Sequence, residues 1–197
     1  MVRGRPRKIE PECALDAAMK AFWTKGYDAT SLSDLVVATG MAKPGLYATF
    51  GDKQEIFKKS LENYVRSRGQ PLIGKLMKSD KTAKEAFKDF YRGMVDGFFE
   101  EDMPDGCFLA DTLVKSKNNE PSISELANMF QDFRKAKFCD YLTLAKRNGL
   151  LAQENDSERL ADYFSAQAIT LPVMHKTGAT KRNLYMFIDT VITIIRD

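Results

Sequence analysis

The sequence predicts an all-α fold of about nine helices, and three observations carry that prediction. Apolar residues recur at i, i+3, i+4 and i+7 along almost the whole chain, and no segment alternates convincingly with a period of two. The breaks between periodic stretches fall on glycines, prolines and capping residues. With 44% apolar and 29% charged residues in a chain of 197, the composition is that of a globular protein with one large buried core or two small ones.

Leu15, Ala18, Met19, Phe22 and Trp23 form the first apolar stripe, and Gly26 stands at its C-cap position. Ser31 with Asp34 reads as a capping box, Asp replacing Glu, ahead of Leu32, Leu35 and Val36, with Gly40 closing the helix. Leu46, Tyr47 and Phe50 mark a short helix near 43–49. Asp52, after Gly51, caps a longer one through Phe57, Leu61, Tyr64 and Val65. The clearest face is Ala83, Ala86, Phe87, Phe90, Tyr91, Met94, Val95, Phe98 and Phe99. Cys107, after Pro104-Asp105-Gly106, opens a short helix. Ser122 and Glu125 behind Pro121 read as a capping box for a long helix through Ile123, Leu126, Ala127, Phe130, Phe133, Phe138, Tyr141, Leu142 and Ala145. Leu160, Tyr163, Phe164, Ala168 and Leu171 follow, with Pro172 expected to interrupt and kink that helix. Thr180, after Gly178, opens the last.

Composition excludes several classes. No run of about 18 apolar residues could span a membrane, and the basic N-terminus lacks the apolar stretch of a signal peptide. Three widely spaced cysteines (Cys13, Cys107, Cys139) give neither a disulfide framework nor a zinc knuckle, so a cytoplasmic location with reduced thiols is expected. Cys13 and Cys139 read as packing residues. With His175 the single histidine, an ordinary His-based metal cluster is ruled out, and no phosphate-binding glycine motif occurs. The expectation is a protein without metal or cofactor and not an enzyme. His175 itself is expected to be exposed or to face a partner.

The net charge of +3 is unevenly placed: residues 1–68 hold 12 Lys/Arg against 8 Asp/Glu, while 69–197 hold 18 against 19. Arg3, Arg5, Arg7 and Lys8 form a basic arm, which suits a polyanion and equally a solvated terminus. Beyond it, two short helices joined by a tight Gly40 turn make a helix-turn-helix, whose second helix enters the DNA major groove.

The stretch ALDAAMKAFWTKGYDATSLSDLVVATGMAKPGLYATFGDKQEIF, including Phe22, Gly26, Tyr27, Thr30, Gly40, Leu46, Tyr47, Phe50 and Lys53, resembles the N-terminal domain of TetR/AcrR-type transcriptional repressors. That resemblance implies a basic arm at 1–8, a helix-turn-helix DNA-binding domain at 9–53, and a helical ligand-binding and dimerisation domain at 54–197. The last is matched only in length and periodicity. On this reading Lys43 reaches a guanine edge or a phosphate, and Pro44 touches a thymine methyl; alternatively both simply start a helix. Tyr47 resembles a phosphate contact, or packs under the helix, and its amphipathic ring allows both. Thr49 is a phosphate neighbour, Lys53 sits at an anion-favouring helix N-terminus, and Thr30 and Ser31 offer donors at the start of the second helix. Ala42 and Gly45 stand where the family often has Ser or Thr, so the base preference of relatives does not transfer. Arg3-Gly4-Arg5-Pro6 also resembles the core of the AT-hook, which lies in an A·T minor groove.

The remaining candidates lie in the C-terminal part. Phe87, Tyr91, Met94, Phe98, Phe130, Phe133, Tyr141 and Phe164 either line a pocket for a small apolar or aromatic effector or are plain core. Cys107 joins them. It is an electrophile or oxidant sensor, as some relatives have hereabouts, or a small buried hydrophobe, with Asp105 and Asp111 opposing a thiolate. The final helix is apolar on more than one face, so Tyr163, Leu171, Leu184, Phe187, Ile188, Val191 and Ile195 are expected to form a homodimer interface. The function expected is a ligand-responsive regulator, a repressor binding a near-palindromic operator in double-stranded DNA. Its rivals are a helical ligand carrier or enzyme that keeps the helix-turn-helix without operator binding, and a nucleoid-type architectural protein.

Overall fold

The computed structural model describes residues 10–115 and 120–196, and among these every regular element is helical. The elements are α1 (Pro11–Lys25), α2 (Leu32–Thr39), α3 (Lys43–Phe50), α4 (Lys53–Tyr64), a π-helical turn at Val65–Gly69, α5 (Gln70–Met77), α6 (Ala83–Phe98), α7 (Phe108–Val114), α8 (Pro121–Arg147), α9 (Ser157–Lys176), α10 (Lys181–Val191) and a 3-10 turn at Ile192–Ile194. With the stretch 53–77 taken as one helical run, the described residues give the expected nine. The arm residues Arg3, Arg5, Arg7 and Lys8 lie outside the described residues.

The helix boundaries follow local chemistry. Ser31 caps α2 through a reciprocal box, its hydroxyl accepting from the Asp34 N–H while the Asp34 carboxylate accepts from the Ser31 N–H at 2.7 Å. Gly40 ends α2 in the left-handed region (φ 66°, ψ 4°), which an L side chain adopts only at a cost. Asp52 accepts from the Glu55 N–H at 2.9 Å, and Thr180 with Asn183 forms the box of α10. One expected cap is corrected. Pro121 occupies the first turn of α8, where its missing N–H is harmless, so Glu120 is the N-cap and Ser122 falls inside the helix. Pro172 does not end α9 either: the helix continues to Lys176, with Leu171 and Pro172 buried. One missing ladder bond is tolerated where flanking residues pack. α5 has no counterpart in the expected elements, because Gly69, Pro71 and Gly74 look like breakers. Pro71 sits harmlessly in its first turn, and Leu72, Ile73, Leu76 and Met77 carry the apolar spacing.

The chain divides into two compact units between Asn63 and Tyr64, not after residue 53 as expected. The reason is α4. Its Ile56, Phe57 and Leu61 are buried, and the Phe57 ring meets Phe22 edge-on at 4.9 Å and Tyr27 at 5.3 Å, which makes α4 a wall of the N-terminal core. In that unit α1 packs on α2 and α2 on α3. The second unit is a bundle in which α8 packs along α9, α5 and α10 lie against α6, and α7 touches both α8 and α9. Its centre is aromatic: Phe87 stacks on Phe164 at 4.0 Å and meets Phe138 edge-on at 5.1 Å.

Candidate nucleic-acid interface

α3 is a short helix with an anchored inner face and an open outer one. Leu46 and Phe50 are buried, while Lys43, Pro44, Gly45, Tyr47, Ala48 and Thr49 are exposed. Four-residue spacing puts Lys43 and Tyr47 on one side, with the ammonium 5.8 Å from the ring centroid. Tyr47 is 38% exposed, which leaves it both packed and accessible. Two lysines flank the helix's C-terminal end. Lys59 donates to the Phe50 carbonyl at 2.8 Å, and Lys53 stands over the Tyr27 ring at 4.4 Å.

Gly45 is not required by the fold. A β-carbon there would find only the Met41 Cε at 3.9 Å, an ordinary contact, and glycine within a helix costs about 0.5–1 kcal/mol relative to alanine. Thr49 is exposed, but its hydroxyl donates to the Gly45 carbonyl at 2.8 Å, so it must turn before it can donate elsewhere.

Two expected contacts are corrected. Thr30 is fully buried, and its hydroxyl donates to the Gly26 carbonyl at 2.6 Å, tying the α1–α2 connection together. Ser31 uses both its N–H and its hydroxyl on the Asp34 carboxylate. Neither residue has a donor free for a phosphate: the Gly26 and Tyr27 carbonyls take those of Thr30, and the α2 cap takes those of Ser31. That cap is charged: the Lys25 ammonium at 2.5 Å, followed by Ser31, holds the Asp34 carboxyl well below the usual carboxylate range.

The expected effector residues are mostly interior. Phe87, Tyr91, Tyr141 and Phe164 are packed on one another, and the Tyr91 hydroxyl donates to the Phe164 carbonyl at 2.5 Å. Phe98 is buried against the His175 ring, 5.4 Å away, while Met94 and Phe130 are half-buried. Phe133 is corrected: it is 45% exposed, with Lys137 over its ring, and the inward position on α8 belongs to Arg134. His175 is likewise engaged within its own chain, its Nδ1 accepting from the Gly106 N–H at 3.2 Å. Cys107 does cap α7, accepting from the Ala110 N–H at 3.4 Å and from the Tyr64 hydroxyl at 3.1 Å. Burial nevertheless outweighs both bonds and pushes its thiol up. Cys13 is exposed and Cys139 half-buried, so neither is a packing residue of the core.

The expected interface residues also need revision. Leu171, Leu184, Ile188, Val191 and Ile195 are buried within the single chain, and α10 packs against α6 and α9. Tyr163 and Phe187 are half-buried. The exposed apolar side chains on these C-terminal elements are instead Val173, Met186 and Ile194.

A three-helix base presenting a short, exposed helix beyond a glycine turn defines a helix-turn-helix protein. Residues 14–59 match the family described as bacterial regulatory proteins, tetR family. The HTH-type transcriptional repressor ComR of Escherichia coli is 28% identical over 192 residues, which are 98% of this chain and 91% of that protein. BdcR, another E. coli HTH-type transcriptional repressor, is 28% identical over 152 residues, 77% of this chain and 74% of its own. Among solved structures, a cysteine mutant of the TetR family regulator CifR complexed with 26-bp double-strand operator DNA superposes with a TM-score of 0.90 at 24% identity, covering 98% of this chain and all of that one. Residues 14–59 thus match the TetR family, and along nearly its whole length the chain is similar to an HTH-type transcriptional repressor.

Proposed function

We propose that the protein is a dimeric, ligand-responsive repressor that binds a near-palindromic operator through α3 and is released by a small apolar or aromatic effector held in the C-terminal unit. The observation that carries this reading is the α3 surface. Lys43 and Tyr47 share one exposed side, beside a glycine that the fold does not need, on a helix anchored by Leu46 and Phe50. A glycine facing out leaves room for close approach of a DNA backbone, which would explain why it stands where alanine is more stable. Lys43 supplies a base-edge or phosphate contact, Pro44 an apolar one, Tyr47, Thr49 and Lys53 phosphate contacts, and the arm residues Arg3, Arg5 and Arg7 a minor-groove grip. The operator-bound CifR mutant supports the same use of the fold.

Two recognition helices must meet successive major grooves about 34–36 Å apart, which requires a dimer. Val173, Met186 and Ile194, 43%, 59% and 44% exposed, with half-buried Phe187 and Tyr163, are the apolar side chains available for that contact. An effector that favours the form whose helices mismatch the groove spacing releases the DNA. Such a protein works in the cytoplasm, as a regulator and not an enzyme. The test is a gel shift on the DNA upstream of the protein's own gene. The wild type should bind it ahead of unrelated DNA, and Lys43→Ala and Tyr47→Ala should each weaken binding about tenfold or more. Unchanged binding in both variants refutes the assignment, and equal affinity for unrelated DNA favours an architectural protein.

A further inference from the structure

α8 turns one charged side chain inward, onto the face formed by Ile123, Ala127, Phe138 and Ala145. Arg134 is partly exposed along its length, but its Nε is sealed from solvent and has no hydrogen-bond acceptor. One Nη donates to the Gln131 side chain and, at 3.4 Å, to the Ser165 carbonyl on α9. Ser165 is 3% exposed, and its hydroxyl also lacks a partner. A guanidinium remains charged in a protein, and burying a charge without a counter-ion is strongly unfavourable. No carboxylate forms an ion pair with Arg134 among the described residues. The groups that interact with it electrostatically are Cys107, Tyr91 and Tyr64, and burial pushes all three up, so none is ionised at neutral pH. The C-terminal unit therefore holds an uncompensated positive charge beside an unused hydroxyl, in surroundings of aromatic rings: Tyr64 lies edge-on to Phe108 at 6.0 Å, and Tyr91 near Phe164 at 6.1 Å.

We propose that Arg134 and Ser165 receive the effector, and that the effector is a small organic monoanion, a carboxylate on an apolar or aromatic body. This rests on the reading of the C-terminal unit as an effector domain and specifies its ligand. One guanidinium balances one negative charge, so a dianion such as phosphate would remain half-compensated. The rings of Tyr64, Tyr91, Phe108 and Phe164 suit an apolar body and not a hydrated inorganic ion. Planar carboxylate and guanidinium also match in geometry, and the spare Nε–H supplies a donor for that pairing.

The test is thermal unfolding of the full chain at fixed ionic strength, with sodium benzoate as probe and benzamide as its neutral isostere. At about five times its dissociation constant, benzoate should raise the wild-type Tm by about 2–4 °C, and benzamide should not. Arg134→Met should lose the response while melting no lower than the wild type, because it removes an unpaired buried charge and retains the volume. Ser165→Ala, which removes a hydroxyl without a partner, should raise the benzoate concentration for half-maximal effect about tenfold. Equal effects of benzoate and benzamide, no effect of benzoate on the wild type, or a full response in Arg134→Met or Ser165→Ala would overturn the proposal. A marked fall in the Tm of Arg134→Met would overturn it too, because Arg134 would then be a structural group. Wild-type operator binding measured in parallel separates the two readings. Operator binding without an anion response sinks this inference alone, and an anion response without operator binding sinks the regulator reading alone.

Discussion

Replacing Phe57 with alanine removes the ring that joins α4 to the rest of the N-terminal unit. Phe57 is 2% exposed and lies edge-on to Phe22 at 4.9 Å and Tyr27 at 5.3 Å, so no rearrangement of surface residues can fill the space. A buried Phe→Ala substitution costs about 3–5 kcal/mol. A unit of this size is stable by about 3–9 kcal/mol in all, so the loss takes much or all of its stability. The single tryptophan, Trp23, is 5% exposed in α1 and reports on this unit, while far-UV circular dichroism is dominated by the larger C-terminal bundle. In urea, the Trp23 transition of Phe57→Ala should move to much lower denaturant, with most of the helical signal remaining at the wild-type midpoint. Phe57→Leu should cost less than half as much. If Phe57→Ala shifts the Trp23 transition by less than about 1 kcal/mol, α4 is not part of the N-terminal core and the division between Asn63 and Tyr64 is wrong.

Gly45→Ala should raise stability by up to about 1 kcal/mol in the same Trp23 assay yet weaken operator binding; a variant that binds as well as the wild type would show that no backbone approaches this helix. Asp34→Asn should destabilise the N-terminal unit at pH 7, and the destabilisation should be smaller at pH 3 without vanishing there. The folded-state pKa of this carboxyl is depressed, so its contribution is present above the usual carboxylate range and lost as pH falls through the folded value; urea midpoints at the two pH values check the sign. An aromatic disulfide reagent at pH 7 should modify Cys13 quickly and Cys107 only on unfolding, because Cys107 is buried and its thiol is pushed up; rapid labelling of Cys107 would revive a sensor role. Met186→Asp should lower the sedimentation mass towards that of a monomer, whereas an unchanged mass would move the subunit contact elsewhere.

Helix periods and caps were readable because they are local: Ser31, Asp52 and Thr180 cap the helices they precede, and Gly40 ends its helix in the left-handed region. The α3 surface was readable for a similar reason, since on a short helix with Leu46 and Phe50 inward, Lys43 and Tyr47 have only the outside left. Tertiary choices were not. Nothing in the sequence said that Thr30 would be buried against the Gly26 carbonyl, or that α10 would bury Leu184 and Ile188 within its own chain. An apolar stripe does not specify which neighbour covers it. Arg134 left a signal of a kind, a charged residue at an inward position between Ala127 and Phe138. The stripe assigned through Phe133, one position away, concealed it.

The most direct test of α3 as a DNA-reading helix is fluorescence anisotropy of a labelled operator duplex titrated with the protein between 50 and 200 mM salt. The logarithm of affinity should fall linearly with the logarithm of salt concentration, and Lys43→Ala should weaken binding and reduce that slope by about one. An affinity for the operator that is indifferent to salt, or the same slope and midpoint for Lys43→Ala and Tyr47→Ala as for the wild type, would contradict the account.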